Sequence, residues 1–447
     1  MAQLFSDLEQ DIKGKIVTAS DEFAYENEVN KSWNAVNRNR RPLAFVKVKG
    51  KEDVKKIVRF CAKHELEVCV YNGGTSAFCM KDEAVVIDLS TMCNVQVDAE
   101  NKTAIIEGGA KVADVNEALG RHDFVIPLGS FSQLGVAGMT LNTGGQGFLS
   151  KRFGMTCDNV LEFDLVLASG ELIKVSADEH PELFWGMKGH GSSFGIVTSM
   201  KFQLNVMSSQ VVAGSMYFPF SRAKDVVKMS RDYSVEADDN CLSFYMLIHI
   251  GPTGPEMIVR VHYSGTLRRG GEIVQDLVDL THPYKFSCGP VNHCDFQKQG
   301  DLLLPSGRFN YNVPGHILSE LKDVIIDNIF SCVEDIGTDH FLAGTIVYMA
   351  ENFGGKDCEV GYEESSFPFR NNARYWIGIN ASTKKEENFE AVKDWGNHFQ
   401  DINSEYGIPP FDGGDAEQIM DKVKRLKQQY DPNNMFHNNF VAIDDSE

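Results

Sequence analysis

The residues of this chain that could do chemistry begin with a glycine-dense segment, PLGSFSQLGVAGMTLNTGGQGFLSKRFGMTCDNV (127–160). Glycine is needed where the backbone takes positive φ or approaches another group closely. The segment is too irregular for a helix and carries no charge before Lys151. We interpret this backbone as lying against a flat, polar-edged cofactor, a flavin. A set of tight turns in a large domain is the alternative.

Two further glycine turns accompany this segment. The first, NGG (72–74), ends a predicted strand–helix–strand unit over 43–48, 52–64 and 67–71. It does not follow GxGxxG, so the dinucleotide fingerprint of the Rossmann fold is absent. The second, KGHGSSFG (188–195), leads into a strand. Up to about Val206 we therefore expect an α+β domain whose glycine turns converge on one place.

The pattern changes after about residue 211. Strand signals at 211–217, 242–250, 257–263, 341–349 and 373–379 are interspersed with helical stretches at 223–233 and 271–280. This predicts an antiparallel sheet backed by helices, a second domain. In SFYMLIHI (243–250), alternation puts Ser243, Tyr245, Leu247 and His249 on one face. We expect that face to line a polar pocket; a solvent-facing side is the alternative.

Composition limits the function classes. The chain has 447 residues, which predicts two or three domains, and a formal charge of −20 argues against a nucleic-acid partner. The N-terminus lacks the pattern of a secretory signal, and no apolar run could span a membrane. The ten cysteines contain no CxxC pair. They favour reduced thiols in a cytoplasmic protein over a disulfide frame or a metal site.

Seven motifs together resemble a known family, the vanillyl-alcohol oxidase superfamily with its PCMH-type FAD-binding domain, and within it the berberine-bridge-enzyme branch. They are spread over nearly the whole chain. They are VYNGGTS (70–76), VVIDLSTM (85–92), EGGA (107–110), GVAGMTLNTGGQGFLSKRFGMTCDNV (135–160), ELFWGMKGHGSSFGIVT (182–198), SSFPFR (365–370) and YDPNNMF (430–436).

The resemblance implies an α+β fold with a two-part FAD-binding domain, residues 1–206 plus a C-terminal segment, 406–447. An antiparallel-sheet substrate domain, 207–405, is inserted between them. It also implies oxidation of a small organic substrate by hydride transfer to FAD, with oxygen or another electron acceptor, in specialised metabolism. The FAD contacts that it carries over are Asn72, Gly73, Gly74, Thr75, Ser76, Phe131, Gly135, Gly138, Thr140, Gly145, Asp158, Gly195, Ile196, Val197 and Asn439.

Two departures from the family concern cofactor attachment. Thr75 stands where the family usually has a histidine bound covalently to the flavin, and Phe131 stands where many members add a cysteine. Neither side chain can form such a bond, and Cys79 and Cys157 are not at matching positions. We therefore expect non-covalent FAD. Since covalent links raise the flavin potential in this family, we also expect a weaker oxidant.

Further departures concern the catalytic base. The family's usual glutamate or glutamine falls on Gly378, with Trp376 two residues before it, and a common C-terminal tyrosine motif has no counterpart. Glu351 matches an active-site tyrosine of the cannabinoid synthases, and a glutamate desolvated beside a flavin suits base work. We also assign catalytic roles to Tyr245 and Tyr263 on the predicted sheet.

Other interpretations stay open. Glu351 could be a surface carboxylate at a strand end, and the two tyrosines could be core or rim residues. The loss of the usual bases motivates a redox-neutral alternative, a flavin-containing cyclase or isomerase. A third interpretation is a relative that keeps the fold without the flavin, but the retained glycines argue against it. The sequence predicts no metal site and no particular oligomeric state.

Overall fold

The structure is a computed structural model, and it describes residues 2–334, 342–370, 372–407 and 415–436. Its helices are α1 Ala2–Asp11, α2 Glu22–Asn30, α3 Lys51–Lys63, α4 Val112–Gly120, α5 Val136–Asn142, α6 Ser150–Phe153, α7 Pro181–His190, α8 Phe220–Ala237, α9 Leu267–Thr281, α10 His293–Gly300, α11 Asp323–Glu334, α12 Phe389–Asp401 and α13 Asp415–Tyr430. Its strands are β1 Lys15–Val17, β2 Ala44–Lys47, β3 Val68–Tyr71, β4 Val85–Asp88, β5 Val95–Asp98, β6 Thr103–Glu107, β7 Phe124–Val125, β8 Val160–Val166, β9 Leu172–Ser176, β10 Ile196–Gln203, β11 Asn205–Val206, β12 Gln210–Pro219, β13 Leu242–Gly251, β14 Gly254–Tyr263, β15 Lys285–Asn292, β16 Phe309–Leu318, β17 Ile346–Glu351 and β18 Tyr375–Thr383.

The N-terminal part contains a four-stranded sheet in the order β1-β2-β4-β3. Strands β2, β4 and β3 run parallel, as the strand–helix–strand pattern predicts. Helix α3 buries the apolar stripe of Val54, Ile57, Val58 and Cys61 against this sheet. The NGG turn follows β3 directly, so the sheet fixes where the turn begins.

A five-stranded antiparallel sheet, β5-β6-β10-β8-β9, forms the second layer of this part. The C-terminal helix α13 returns to it, since Ile419, Val423 and Leu426 join the same core. A fully buried ion pair joins Lys427, in the last turn of this helix, to Asp431 just after it, at 2.5 Å. Lys427 Nζ also donates to Ser193 O at 2.9 Å, which ties the tail to the KGHGSS turn.

A seven-stranded sheet, β15-β12-β14-β13-β17-β18-β16, forms the second part of the molecule, and its pairings are antiparallel. Helices α8, α9, α11 and α12 cover one face, which we call the helix face; Phe244, Val347 and Met349 point into that core. The other face packs against the glycine segment through Phe148 and Leu149. We call it the inner face.

The expectation of no helix in the glycine segment was wrong. Helix α5 (Val136–Asn142) forms there because Val136, Ala137 and Leu141 bury their side chains, and Thr140 Oγ1 donates to Val136 O at 2.7 Å. Burial outweighs the cost of one internal glycine, about 1 kcal/mol. The sequence analysis also did not identify α2, α10, α11, α12, β1, β15 and β16.

Candidate active site

The structure brings the NGG turn and the glycine segment together. A Cβ added at Gly73 would stand 2.9 Å from both Gly135 N and Gln133 O, and one at Gly135 would stand 2.8 Å from Asn72 Nδ2. Asn72 Nδ2 donates to Gly108 O at 2.9 Å and to Ala110 O at 3.3 Å, within the EGGA motif. Glycine is required at 73 and 135 because the two backbones touch. We call this junction the cradle.

The cradle presents several backbone donors to one region. The N–H groups of Gly73, Gly74, Thr75 and Ser76 donate to no acceptor in the described part of the chain, and neither do those of Ala137 and Gly138. Convergent N–H groups of this kind suit a diphosphate.

Two further features of the cradle bear on whether FAD fits. Asn72 Oδ1 is buried and has no partner among the described residues, which suits the hydroxyl and N–H donors that FAD carries. A Cβ at Gly138 would meet no atom within 4 Å, so the space beside this residue is open to a cofactor. The residues present therefore fit FAD.

A second set of contacts connects the cradle to the seven-stranded sheet. Ser32 Oγ and Asn34 N both donate to Gly74 O, at 3.0 and 3.1 Å. Asn34 Nδ2 in turn donates to Asn310 O at 3.1 Å, and Asn310 N donates to Asn34 Oδ1 at 3.2 Å. Residue 310 lies on β16, so the cofactor turn and the sheet are held in a fixed relation.

Thr75 and Phe131 lie beside the cradle. Both are half-buried, and the Phe131 ring is 6.1 Å from that of Trp33. Neither carries a group that could bond covalently to a flavin. The two cysteines near them in sequence, Cys79 and Cys157, are buried, and burial raises the pKa of each thiol to about 12. A neutral buried thiol is a poor nucleophile.

Other predicted cofactor residues have structural roles that the sequence did not show. A Cβ at Gly145 (φ +76°) would collide with Thr156, whose Oγ1 donates to Gly145 O at 2.7 Å. The Thr140 hydroxyl is engaged within α5. Gly195 packs against the carbonyl of Val166.

Ile196 and Val197 point their side chains into two different cores. Only their backbones could contact a cofactor. Asn439 lies outside the described residues.

Asp158 is engaged by a partner that is distant in sequence. Arg370, from the SSFPFR motif, donates to both carboxylate oxygens at 2.7 and 2.8 Å. Met155 N also donates to Asp158 Oδ2 at 2.8 Å. The ion pair is almost fully buried. The position of Asp158 thus supports a structural role that joins two motifs, rather than the cofactor contact expected from the sequence.

Tyr245 lies on the inner face, as the alternation of β13 predicts, and belongs to a chain of hydrogen bonds. Asn352 Nδ2 donates to Tyr245 Oη at 2.7 Å, and Gln146 Nε2 donates to Asn352 Oδ1 at 2.5 Å. Burial raises the pKa of Tyr245 to about 12, so its phenol is neutral near pH 7. This chain joins the inner face to the glycine segment.

Glu351 and Tyr263 do not lie on the inner face. Glu351 pairs in register with Phe244, which belongs to the helix face, and its Oε1 lies 3.0 Å from Lys151 Nζ and 3.3 Å from Arg374. Tyr263 pairs with Leu242 and joins the helix-face core. Their positions do not support the catalytic roles expected for them, because side chains alternate along a strand.

The sequence analysis did not identify Tyr348, Asn352 and Gln146 at this site. Tyr348 is half-buried on the inner face, and its ring meets that of Trp376 edge-on at 5.1 Å. The alternation of IVYMAEN (346–352) was the available signal. It places Tyr348 and Asn352 on the face opposite Glu351.

No group of three or more His, Cys, Asp or Glu side chains within the described ranges is arranged to hold a metal ion. No helix of these ranges has the length and apolar character needed to cross a membrane.

The fold and the cradle define a flavin-binding protein, and comparisons with known proteins agree. Residues 42–176 match the FAD binding domain family. The FAD-linked oxidoreductase pgmH of Aspergillus terreus is 30% identical over 340 residues, covering 74% of this chain and 68% of that protein. The chain belongs to the FAD-linked oxidoreductases of the PCMH, or vanillyl-alcohol oxidase, superfamily, which includes the berberine-bridge-like enzymes.

Two more similarities extend over nearly the whole chain. An FAD-linked oxidoreductase of Dictyostelium discoideum is 27% identical over 453 residues, covering 98% of this chain and 96% of the relative. The crystal structure of 6-hydroxy-D-nicotine oxidase from Arthrobacter nicotinovorans superposes with a TM-score of 0.82 at 20% identity, covering 96% of this chain and 98% of that one. This chain is accordingly an FAD-dependent oxidase or dehydrogenase.

Proposed function

We propose that the chain oxidises a small organic substrate bound between FAD in the cradle and the inner face of the sheet, in specialised metabolism. The glycine segment carries the proposal, because Gly135 within it forms the cradle with Gly73, and Gln146 further along it bonds to Asn352 at the end of β17. Cofactor contacts and substrate-facing side chains are therefore held by one piece of backbone.

FAD, when bound, would supply the two-electron acceptor for a hydride from a substrate carbon, with oxygen or another acceptor to receive the electrons in turn. The chain's own residues bind FAD and orient the substrate. Backbone N–H groups of residues 73–76, which have no acceptor among the described residues, would hold the cofactor. Tyr245, held by the hydrogen bond from Asn352, presents a neutral phenol at the inner face.

We further propose that FAD is held without a covalent bond. Thr75 and Phe131 offer no nucleophile, and the buried thiols of Cys79 and Cys157 stay protonated. Hydrogen bonds at the cradle and contacts with Phe131 would then provide the affinity.

Anaerobic reduction tests the proposed oxidation. Purified yellow protein is mixed without oxygen with 6-hydroxy-D-nicotine, benzyl alcohol or cellobiose, and flavin absorbance is followed. We expect at least one such compound to bleach the flavin, with colour returning when oxygen or another acceptor is added. Conversion of a compound with no bleaching would favour a redox-neutral reaction instead.

A further inference from the structure

Gly378 and Tyr348 lie side by side on the inner face, and the Tyr348 ring occupies the space that a side chain at position 378 would need. The register of β17 and β18 places them directly opposite each other. A Cβ added at Gly378 would stand 2.4 Å from Tyr348 Oη and 2.6 Å from Cζ. These distances are far below van der Waals contact, so the phenol of Tyr348 stands where any side chain at position 378 would begin.

The hydroxyl of Tyr348 differs from that of Tyr245 in its partners. Tyr245 Oη accepts from Asn352 Nδ2 at 2.7 Å. The Tyr348 hydroxyl makes no hydrogen bond within the part of the chain that the structure describes, although its ring packs on Trp376. The side chain of Tyr348 is only half-buried and its hydroxyl is not enclosed, so a molecule bound against the inner face can reach it and form a hydrogen bond with it.

We propose that Tyr348 is the substrate-contacting residue of the inner face, and that its hydroxyl binds and orients the polar group of the substrate beside the carbon that is oxidised. This inference rests on the proposed oxidoreductase function. Gly378 leaves the space that lets the ring take this position. Tyr348 forms a hydrogen bond with the substrate but does not remove its proton; another group is the base.

The protonation state supports that role. Burial raises the pKa of Tyr348 far above its ordinary value. The phenol therefore stays neutral around pH 7, where it can both donate and accept but cannot act as a general base. Its contribution to binding should be independent of pH in the neutral range.

Tyr348→Phe tests the proposal, with Tyr375→Phe as the matched control. Both variants remove one phenol oxygen from the same sheet, but Tyr375 points into the helix face. We expect Tyr348→Phe to lower kcat/KM for flavin reduction by about tenfold, the loss of one hydrogen bond, at every pH in the neutral range. FAD content should not change.

The probes are 6-hydroxy-D-nicotine, benzyl alcohol and cellobiose, whichever reduces the wild-type flavin. A wild-type flavin that none of them reduces counts against the proposed function, and with it this inference. A wild-type flavin that is reduced, with equal kinetics in the two tyrosine variants, overturns the role of Tyr348 alone.

A steric experiment tests the placement without any substrate. Gly378→Ala should lower the thermal midpoint of the holoprotein in the presence of Tyr348, and the added methyl should cost less when Tyr348→Ala is also present. Equal effects of Gly378→Ala in both backgrounds would show that Tyr348 does not fill that volume, and would overturn the proposal.

Discussion

Gly73 and Gly135 lie so close that a Cβ on the first would be 2.9 Å from the backbone nitrogen of the second. The contact joins the turn after β3 to the start of α5, and it holds the free N–H groups of both segments in one region. The cradle exists because neither residue has a side chain.

Gly73→Ala should therefore weaken FAD binding. The methyl group meets backbone atoms that cannot rotate away, so the turn must shift and lose at least one charge-assisted hydrogen bond to the cofactor. Such a loss corresponds to about tenfold to one-hundredfold in affinity. The measurement is the FAD dissociation constant of the apoprotein. Gly271→Ala, where a Cβ meets nothing within 4 Å, is the control. Unchanged affinity in Gly73→Ala would contradict the cradle.

Glu351→Gln should destabilise the protein. The carboxylate is fully buried, and it balances the buried charge of Lys151 at 3.0 Å. Removing one member of a buried ion pair costs about 3 kcal/mol or more. The free energy of unfolding in denaturant measures this, with the exposed Glu320→Gln as control. A variant of unchanged stability whose flavin reduction is abolished would instead restore Glu351 as the base.

The stability of the protein should fall as the pH is lowered from 6.5 toward 4. Burial lowers the pKa of His293 from 6.5 to about 4 and the pKa of its neighbour His262 well below 6.5. His262 Nε2 lies 3.0 Å from His293 Nδ1. In this range the unfolded chain binds protons that the folded chain does not, so folding is progressively disfavoured. For His293 the loss reaches about 3 kcal/mol.

Thermal midpoints across this pH range measure the effect. We expect His293→Gln to show a shallower decline than the wild type, and the exposed His122→Gln to follow the wild type. A decline in His293→Gln as steep as in the wild type would show that His293 does not titrate on unfolding.

The sequence predicted those parts of the site that depend on local backbone requirements. The glycines at 73 and 135 pointed to a close approach of backbones, and the alternation of β13 put Tyr245 on the correct face. The alternation of IVYMAEN separates Glu351 from Tyr348, but it does not tell which of the two faces the glycine segment; the pairing of Glu351 with Phe244 decides that. A motif match alone cannot supply that register.

Contacts with residues distant in sequence explain why the role of Asp158 and the presence of helix α5 were not predicted. Asp158 has the residue type of a cofactor ligand, but Arg370 from a distant motif binds both of its oxygens. Helix α5 forms where glycines disfavour it, because three apolar side chains find a core there. Neither fact is encoded in the neighbouring residues.

Acid precipitation of the purified protein, followed by identification of the flavin, tests the central claim most directly. A flavoprotein that holds FAD through the cradle, with Thr75 and Phe131 beside it, should release all of its yellow colour into the supernatant as FAD, one per chain. Yellow colour that stays on the pellet would contradict non-covalent binding. A purified protein with no flavin, and none taken up when FAD is added, would contradict the cradle itself.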